Sequence, residues 1–273
     1  MCGEICPFAG GSVEDWRGKW ALVTGGSSGI GWAFAEQLAA RGANLVLTAR
    51  RADRLAQLAD DVTSRYKVQA RIFAADLARP QAPAEIFRFT EQKRIPIELL
   101  INNAGFGAYG EFRKVEAARL LDMVQVNVAS VVHLTHLFLP AMVERRSGYV
   151  LIVASTAAFQ PVPYISTYAA TKGFDLLFAE GIAEEVRRYG VRVCALCPGS
   201  TVSEFHEVAG QPLHIAGPQE PNEKVARVGL RALAGGKPRV ISGTRNWLTV
   251  EAQRLAPRRL VTRVAARMFM PQQ

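Results

Sequence analysis

From Trp20 to about Val240, short apolar runs alternate with longer stretches in which apolar residues recur every three or four positions. The short runs are Ala21–Thr24, Asn44–Thr48, Ala70–Ala74, Leu99–Ile101, Tyr149–Val153, Val191–Leu196 and Arg239–Ile241. Most lack the polar–apolar alternation of a strand with one wet face, so they read as strands buried on both faces. Between them, Trp32–Arg41, Arg51–Arg65 and Ser166–Tyr189 carry helical periodicity. This alternation predicts βαβ units in an α/β fold: a doubly wound parallel sheet of about seven strands flanked by helices. No internal repeat, low-complexity segment or linker is visible. The chain divides into an N-terminal extension over 1–18, one main domain over 19–245 and a basic helical extension over 246–273.

Composition narrows the class. The 273 residues are 49% hydrophobic and 21% charged, which excludes a disordered chain. Four cysteines are too few to staple this length, and Met1–Arg17 lacks the basic start and apolar centre of a secretory signal. A reducing, cytoplasmic setting is expected. The formal charge of +9 is unevenly placed: residues 224–273 hold 11 of the 33 Lys/Arg and a single acid, Glu251. A protein that bound nucleic acid with its whole surface would not be built this way, so no nucleic-acid partner is expected. Met123–Val143 has 21 residues without Asp, Glu, Lys or Arg, long enough to cross a bilayer. Gln125, Asn127, Ser130, His133, Thr135, His136 and Pro140 make it a helix buried among helices instead.

Three motifs carry chemistry. The first strand runs into Thr24-Gly25-Gly26-Ser27-Ser28-Gly29-Ile30-Gly31 and then a helix. Such glycines let the backbone approach a pyrophosphate whose charge faces the helix N-terminus. After the second strand, where an NAD-binding fold places an acid on the ribose, this chain reads Thr48-Ala49-Arg50-Arg51. Arginine there can pair with a 2′-phosphate, which points to NADP(H), with Arg50 the better candidate and Arg51 next. Asn102-Asn103-Ala104-Gly105 follows the fourth strand and Ser155 ends the fifth; Tyr168 and Lys172 then share a helix face at i, i+4 spacing. Reducing a ketone needs a proton on oxygen as well as a hydride on carbon. A tyrosine beside an ammonium can handle that proton, while a serine hydroxyl holds the oxygen.

With these residues in this order, the sequence resembles the short-chain dehydrogenase/reductase family, in its NADP(H)-preferring subgroup, from about Lys19 to Ile241. The resemblance also rests on Asp76-Leu77, Asn127 and Pro198-Gly199. It implies a single-domain Rossmann fold with the dinucleotide across the strands' carboxyl ends. Tyr168 would then be the acid/base, Lys172 would act on Tyr168 and the nicotinamide ribose, and Ser155 would hold the substrate oxygen. Asn127 matches a position linked to a proton path through water. Asp76 would sit by the adenine, Asn103 near the adenosine ribose, and Thr201 or Ser203 by the nicotinamide. The expected function is an NADPH-dependent interconversion of a hydrophobic ketone, or a 3-oxoacyl group, and its secondary alcohol. The expected assembly is a homodimer or homotetramer. The alternatives are a regulator that binds NADP(H) without catalysis, weakened by the intact Ser155–Tyr168–Lys172 set, and a peripheral membrane or carrier-protein binding module that uses the basic tail, weakened by the neutral main body.

The remaining features are assigned more simply. Cys194 and Cys197 lie in an apolar strand and read as buried thiols; Cys2 and Cys6 lie near the N-terminus. His133 and His136 read as packing residues, while His206 and His214 follow Pro198-Gly199, where the family often closes over substrate. Phe106, Phe159, Val162, Tyr164 and Phe205 predict an apolar substrate pocket, with Tyr109 a further candidate and no charged residue among them. After Pro257, Arg258–Phe269 predicts a two-faced helix, with Leu260, Val261, Val264, Ala265 and Met268 opposite Arg259, Arg263 and Arg267. The expectation is a docking element outside the active site. It would pack on the body or a second subunit, or meet a membrane surface or an acidic carrier protein.

Overall fold

All seven apolar runs form strands in the computed structural model, which describes residues 15–212, 215 and 217–271. They are β1 (Trp20–Thr24), β2 (Asn44–Thr48), β3 (Ala70–Ile72), β4 (Ile97–Asn102), β5 (Gly148–Val153), β6 (Val191–Cys197) and β7 (Arg239–Ile241). The sheet runs β3-β2-β1-β4-β5-β6-β7, and every pairing is parallel. The helices are α1 (Gly29–Ala39), α2 (Ala52–Tyr66), α3 (Ala82–Gln92), α4 (Ala117–Val124), α5 (Ser130–Glu144) and α6 (Ser166–Val186). They continue as α7 (Phe205–Ala209), α8 (Asn222–Ala234), α9 (Thr244–Gln253) and α10 (Arg258–Phe269).

The uniform apolarity of the central strands follows from helices on both faces. Ala21 and Val23 pack with Phe34 and Leu38 of α1, Leu55 and Leu58 of α2, and Leu230 and Leu233 of α8. Leu22, one residue out of phase, packs instead with Ile86 of α3, Leu134, Phe138 and Met142 of α5, and Leu176 of α6. The edge strand β3 departs from the expectation of burial on both faces: Arg71 and Ile72 are exposed because, among the described residues, no strand lies beyond them.

The apolar stretch after Ala117 is long and apolar enough to cross a membrane by length and composition. It is helical throughout, with a π turn at Gln125–Ala129 between α4 and α5, and the inner face of α5 lies in the core. Cys194 and Cys197 are buried and fall in the cores on opposite faces of the sheet, so they cannot pair with each other. Burial pushes both thiols up to about 12. Cys2, Cys6 and His214 lie outside the described residues.

Both expected domain boundaries soften. Trp16, assigned to the N-terminal extension, is 1% exposed and meets Tyr149 edge-on at 6.0 Å between ring centres. In the C-terminal extension, Val250 of α9 and Ala265 of α10 are buried.

Candidate active site

Strand order reverses between β1 and β4, so the loops after them diverge and leave a cleft beyond the carboxyl ends of the strands. The cleft holds about 1020 Å³. At one end, β1 turns through Gly25 at φ +67°, a left-handed conformation that suits glycine. A Cβ on Gly31 would run into the Gly25 carbonyl oxygen, so α1 can start this close to the strand only with glycine there. Ser28 caps α1 without a side-chain hydrogen bond, and no acid occupies the first turn. The free N–H groups and the positive end of the helix dipole therefore face the cleft.

Asn103 braces this turn: its Nδ2 donates to the carbonyls of Thr24 (2.8 Å) and Gly25 (3.4 Å). Thr24 Oγ1 accepts from the amides of Asn103 (2.9 Å) and Ala104 (3.0 Å). Asn103 lines the cleft, but its side chain is spent on the turn. Ser27, Ser28, Gly29, Ile30, Asp76, Leu77, Ala104, Gly105, Pro198, Gly199 and Thr201 also line it, whereas Gly31 lies beneath the turn. Asp76 accepts the Ala78 amide at 3.0 Å, and Thr201 Oγ1 donates to the Gly199 carbonyl at 3.1 Å.

At the rim, the two arginines differ. Arg50 is exposed, whereas Arg51 donates to Ser27 Oγ at 3.2 Å and pairs with Glu204 Oε2 at 2.8 Å. The Arg51 hydrogen bond and charge hold the Glu204 carboxyl below the usual carboxylate range. Arg51, ranked second from sequence, is the arginine fixed in place.

At the other end, Ser155 accepts the Ala157 amide at 3.1 Å, capping a short 3-10 turn at the end of β5. Tyr168 and Lys172 project from the first turns of α6. Burial raises the Tyr168 phenol above its ordinary value, although Lys172 and a hydrogen bond with Ser155 pull it down; Asp175 adds to the rise. Lys172 Nζ donates to the Val153 carbonyl (2.7 Å) and to Asp175 Oδ2 (2.9 Å). Burial alone would lower the lysine, but the charges of Asp175 and Tyr168 reverse that and raise it. Asp175 is fully buried, burial raises its carboxyl, and its Oδ1 has no hydrogen-bond partner.

Asn127 sits in the π turn, fully buried. Its Oδ1 accepts from the Phe106 amide, and its Nδ2 donates to the Phe106 carbonyl and to Thr171 Oγ1, each at 3.0–3.1 Å. The side chain therefore fixes the loop after β4 against α6 and does not reach the cleft: a positioning role.

The roof is apolar. The Phe205 ring of α7 lies 5.0 Å from that of Tyr168, and a Cβ on Gly107 would stand 2.8 Å from Phe205 Cζ. Phe106 lines the cleft beneath the Arg119 guanidinium, 5.2 Å from its ring centre. His206 is buried between Ser200 Oγ (3.0 Å) and Gln211 Oε1 (3.3 Å).

Three expected pocket residues do not line the cleft. Phe159 lies under Arg239, and Val162 is buried, packed with Ala169 and with the cleft-lining Ile165. Tyr164 adopts φ +68°, and its carbonyl accepts the Gly110 amide at 2.8 Å. The segment itself borders the cleft through Thr156, Ala157, Gln160 and Ile165; it is these three side chains, of Phe159, Val162 and Tyr164, that face elsewhere. Tyr109 ties walls together instead: its amide donates to the Ala209 carbonyl, and its hydroxyl to the Phe269 carbonyl, each at 2.9 Å.

Sequence reasoning missed Asp175, Arg119, Glu204, Met268 and Phe269. An acid three residues after Lys172 on an otherwise apolar helix face was a readable signal for Asp175. Arg119 lines the cleft and donates to the carbonyls of Gly107 and Val208, so the cleft does hold a cation. Met268 and Phe269 bring the end of α10 into the lining, so the tail is not wholly outside the site.

The chain matches the short chain dehydrogenase family over residues 19–212. It is 31% identical over 264 residues to a very-long-chain 3-oxoacyl-CoA reductase-B of Danio rerio, covering 93% of this chain and 81% of that one. It is 35% identical over 183 residues to a hydroxysteroid dehydrogenase-like protein 1 of Gallus gallus, covering 66% of this chain and 55% of that relative's length. A short-chain dehydrogenase from Sphingobium yanoikuyae, solved with NADPH, superposes with a TM-score of 0.78 at 29% identity, covering 87% and 93% of the two chains. A glycine-turned cleft at the strand reversal, with serine, tyrosine and lysine at its far end, accompanies these matches: the chain is an oxidoreductase of the short-chain dehydrogenase family.

Proposed function

We propose that the protein is an NADPH-dependent reductase of a bulky apolar ketone or 3-oxoacyl group, with Tyr168 as proton donor. The observation that carries this reading is Tyr168 itself. It is half-buried beneath Phe205, hydrogen-bonded with Ser155 and close to Lys172, and burial keeps its phenol above the ordinary value, so it carries its proton at neutral pH as any tyrosine does. A group in that state donates a proton, as reduction requires. The Danio rerio relative's name and the NADPH in the Sphingobium structure support the substrate class and the cofactor.

The glycine turn fits a dinucleotide: the first turn of α1 carries no acid and faces the cleft, Glu204 beside Ser28 is neutralised by Arg51, and Arg51 and Arg50 line the rim as candidates for a 2′-phosphate. When bound, the reduced nicotinamide supplies the hydride. Ser155 Oγ donates a hydrogen bond to the substrate oxygen, and Tyr168 Oη gives that oxygen its proton. The Lys172 ammonium stabilises the phenolate left behind and is itself held charged by Asp175. Phe205, Phe106 and Met268 shield the reacting carbonyl with apolar surface. Exposed Leu121 and Val124 on α4, and Phe174 and Leu177 on α6, support a homo-oligomer in which a second copy covers them.

The test is NADPH consumption by the purified chain with 3-oxoacyl thioesters of rising length and with bulky ketones, run in parallel with NADH. The expected result is efficiency that climbs with acyl length, with NADPH well ahead. No turnover of any thioester or bulky ketone would remove the substrate class, and a preference for NADH would remove the cofactor assignment.

A further inference from the structure

The rows of α10 at i, i+4 spacing face different surroundings. Val261, Ala265 and Phe269 turn toward the body: Ala265 is buried, and Phe269 packs against Val162, Ile165 and Ala169. The neighbouring apolar row does not. Leu260, Val264 and Met268 remain 54%, 48% and 64% exposed. One step further round the helix, Arg259, Arg263 and Arg267 form an exposed row. Arg258, Arg259 and Arg263 border a shallow hollow with Thr262 and Ala266.

We propose that this face of α10 docks on an anionic phospholipid surface, with Leu260, Val264 and Met268 at the acyl boundary and the arginine row at the lipid phosphates. An apolar row beside a basic row is the pattern of a helix that lies in a membrane interface. The charge agrees, because no acid follows Glu251 and the chain's whole positive excess lies in the last 50 residues. A second copy packed antiparallel on this face about a two-fold axis would set arginine row beside arginine row. An acidic protein would satisfy both rows only if it presented an apolar strip in register beside its acids. A bilayer rich in anionic lipid satisfies both rows together.

The position of the row adds a consequence. Met268 is both its last member and part of the cleft lining, so the docked helix brings the cleft mouth to the lipid. An apolar substrate could then pass from the bilayer to Tyr168 without crossing water. Only that consequence rests on the proposed substrate class; the docking itself does not.

The experiment is sedimentation of the full chain with phosphatidylcholine vesicles, with and without phosphatidylserine, at low and high salt. The expected result is binding that requires phosphatidylserine and weakens with salt. Replacing Arg259→Gln, Arg263→Gln and Arg267→Gln together should reduce it by about fivefold per arginine, roughly a hundredfold in all. Leu260→Ser with Val264→Ser should abolish whatever binding persists at high salt. Unchanged melting temperature and oligomeric mass identify variants that are properly folded; a misfolded double variant leaves the arginine variant to decide. Failure of the folded wild-type chain to bind phosphatidylserine vesicles overturns the proposal. So does equal binding by the folded arginine variant, crosslinking between α10 helices of two copies, or tighter capture by a soluble acidic protein than by lipid. Turnover of a water-soluble ketone without vesicles reads the reductase separately, so its loss counts against the proposed function and not against the docking.

Discussion

Asp175→Asn keeps the volume of the side chain and removes only its charge, so it isolates what the buried carboxylate does for Lys172. In the native protein the two groups meet at 2.9 Å, with side-chain exposures of 6% for the lysine and 0% for the aspartate. Removing one partner of a buried pair costs about 3–5 kcal/mol, because the other charge stays behind. Lys172 keeps the Val153 carbonyl and borders the cleft, which favours the lower end of that range. At roughly 2–4 °C per kcal/mol, a 3 kcal/mol loss lowers the melting temperature by about 6–12 °C. The second readout is electrostatic. Asp175 raises the Tyr168 pKa, so with Lys172 still cationic its removal lowers it. The acid limb of alcohol oxidation, which needs phenolate, should move to lower pH, and the high-pH fall-off of ketone reduction should move the same way. Thermal unfolding and pH–rate profiles on one preparation check both. A melting temperature within about 1 °C of wild type would refute the paired-charge reasoning. A large drop with superimposable pH profiles would leave Asp175 a purely structural residue.

Tyr168→Phe should abolish carbonyl reduction while leaving NADPH affinity nearly unchanged, since it removes the proton and little volume; steady-state turnover and a binding titration check the pair. Arg51→Ala should weaken NADPH but not NADH, by about tenfold or more for one charge-assisted hydrogen bond. Arg50→Ala should do less, because Arg50 is exposed and less constrained; equal losses for both cofactors would refute the assignment. Gly31→Ala should displace the turn at Gly25 and remove dinucleotide affinity, read by calorimetry against a retained fold by circular dichroism. With thiols pushed up to about 12, Cys194 and Cys197 should resist alkylation in the native protein at neutral pH and react only on unfolding, as peptide mapping would show.

The strands were legible because each central one is apolar on both faces, and that pattern survives any rearrangement of loops. β3 was legible as a strand but not as an edge, since an edge is defined by a neighbour that is missing. The Tyr168–Lys172 pair, Ser155 and the glycine turn were legible because each depends on short-range spacing. Phe159, Val162 and Tyr164 were misread because closeness to Ser155 in sequence does not say which side chains of an irregular segment turn inward; Thr156, Ala157 and Gln160 do, and these three do not. Arg119 was invisible for the opposite reason: it meets Val208 across 89 residues, and no local pattern marks such a contact. In the tail, periodicity revealed the apolar side of the helix. Which apolar row finds the body and which stays in water is a matter of tertiary docking alone.

The bond from Tyr109 to the Phe269 carbonyl has a consequence in time as well as in space. Domains begin to organise while the chain is still being made, N-terminal parts first. Here Ser155, Tyr168 and Lys172 all precede α10 by many residues, so the reacting groups can be in place while the wall beside them is unmade. The pocket reaches its final shape only when Phe269 emerges and is caught by a loop synthesised far earlier. Nascent chains cut short before that residue would carry the chemistry with an unfinished enclosure around it.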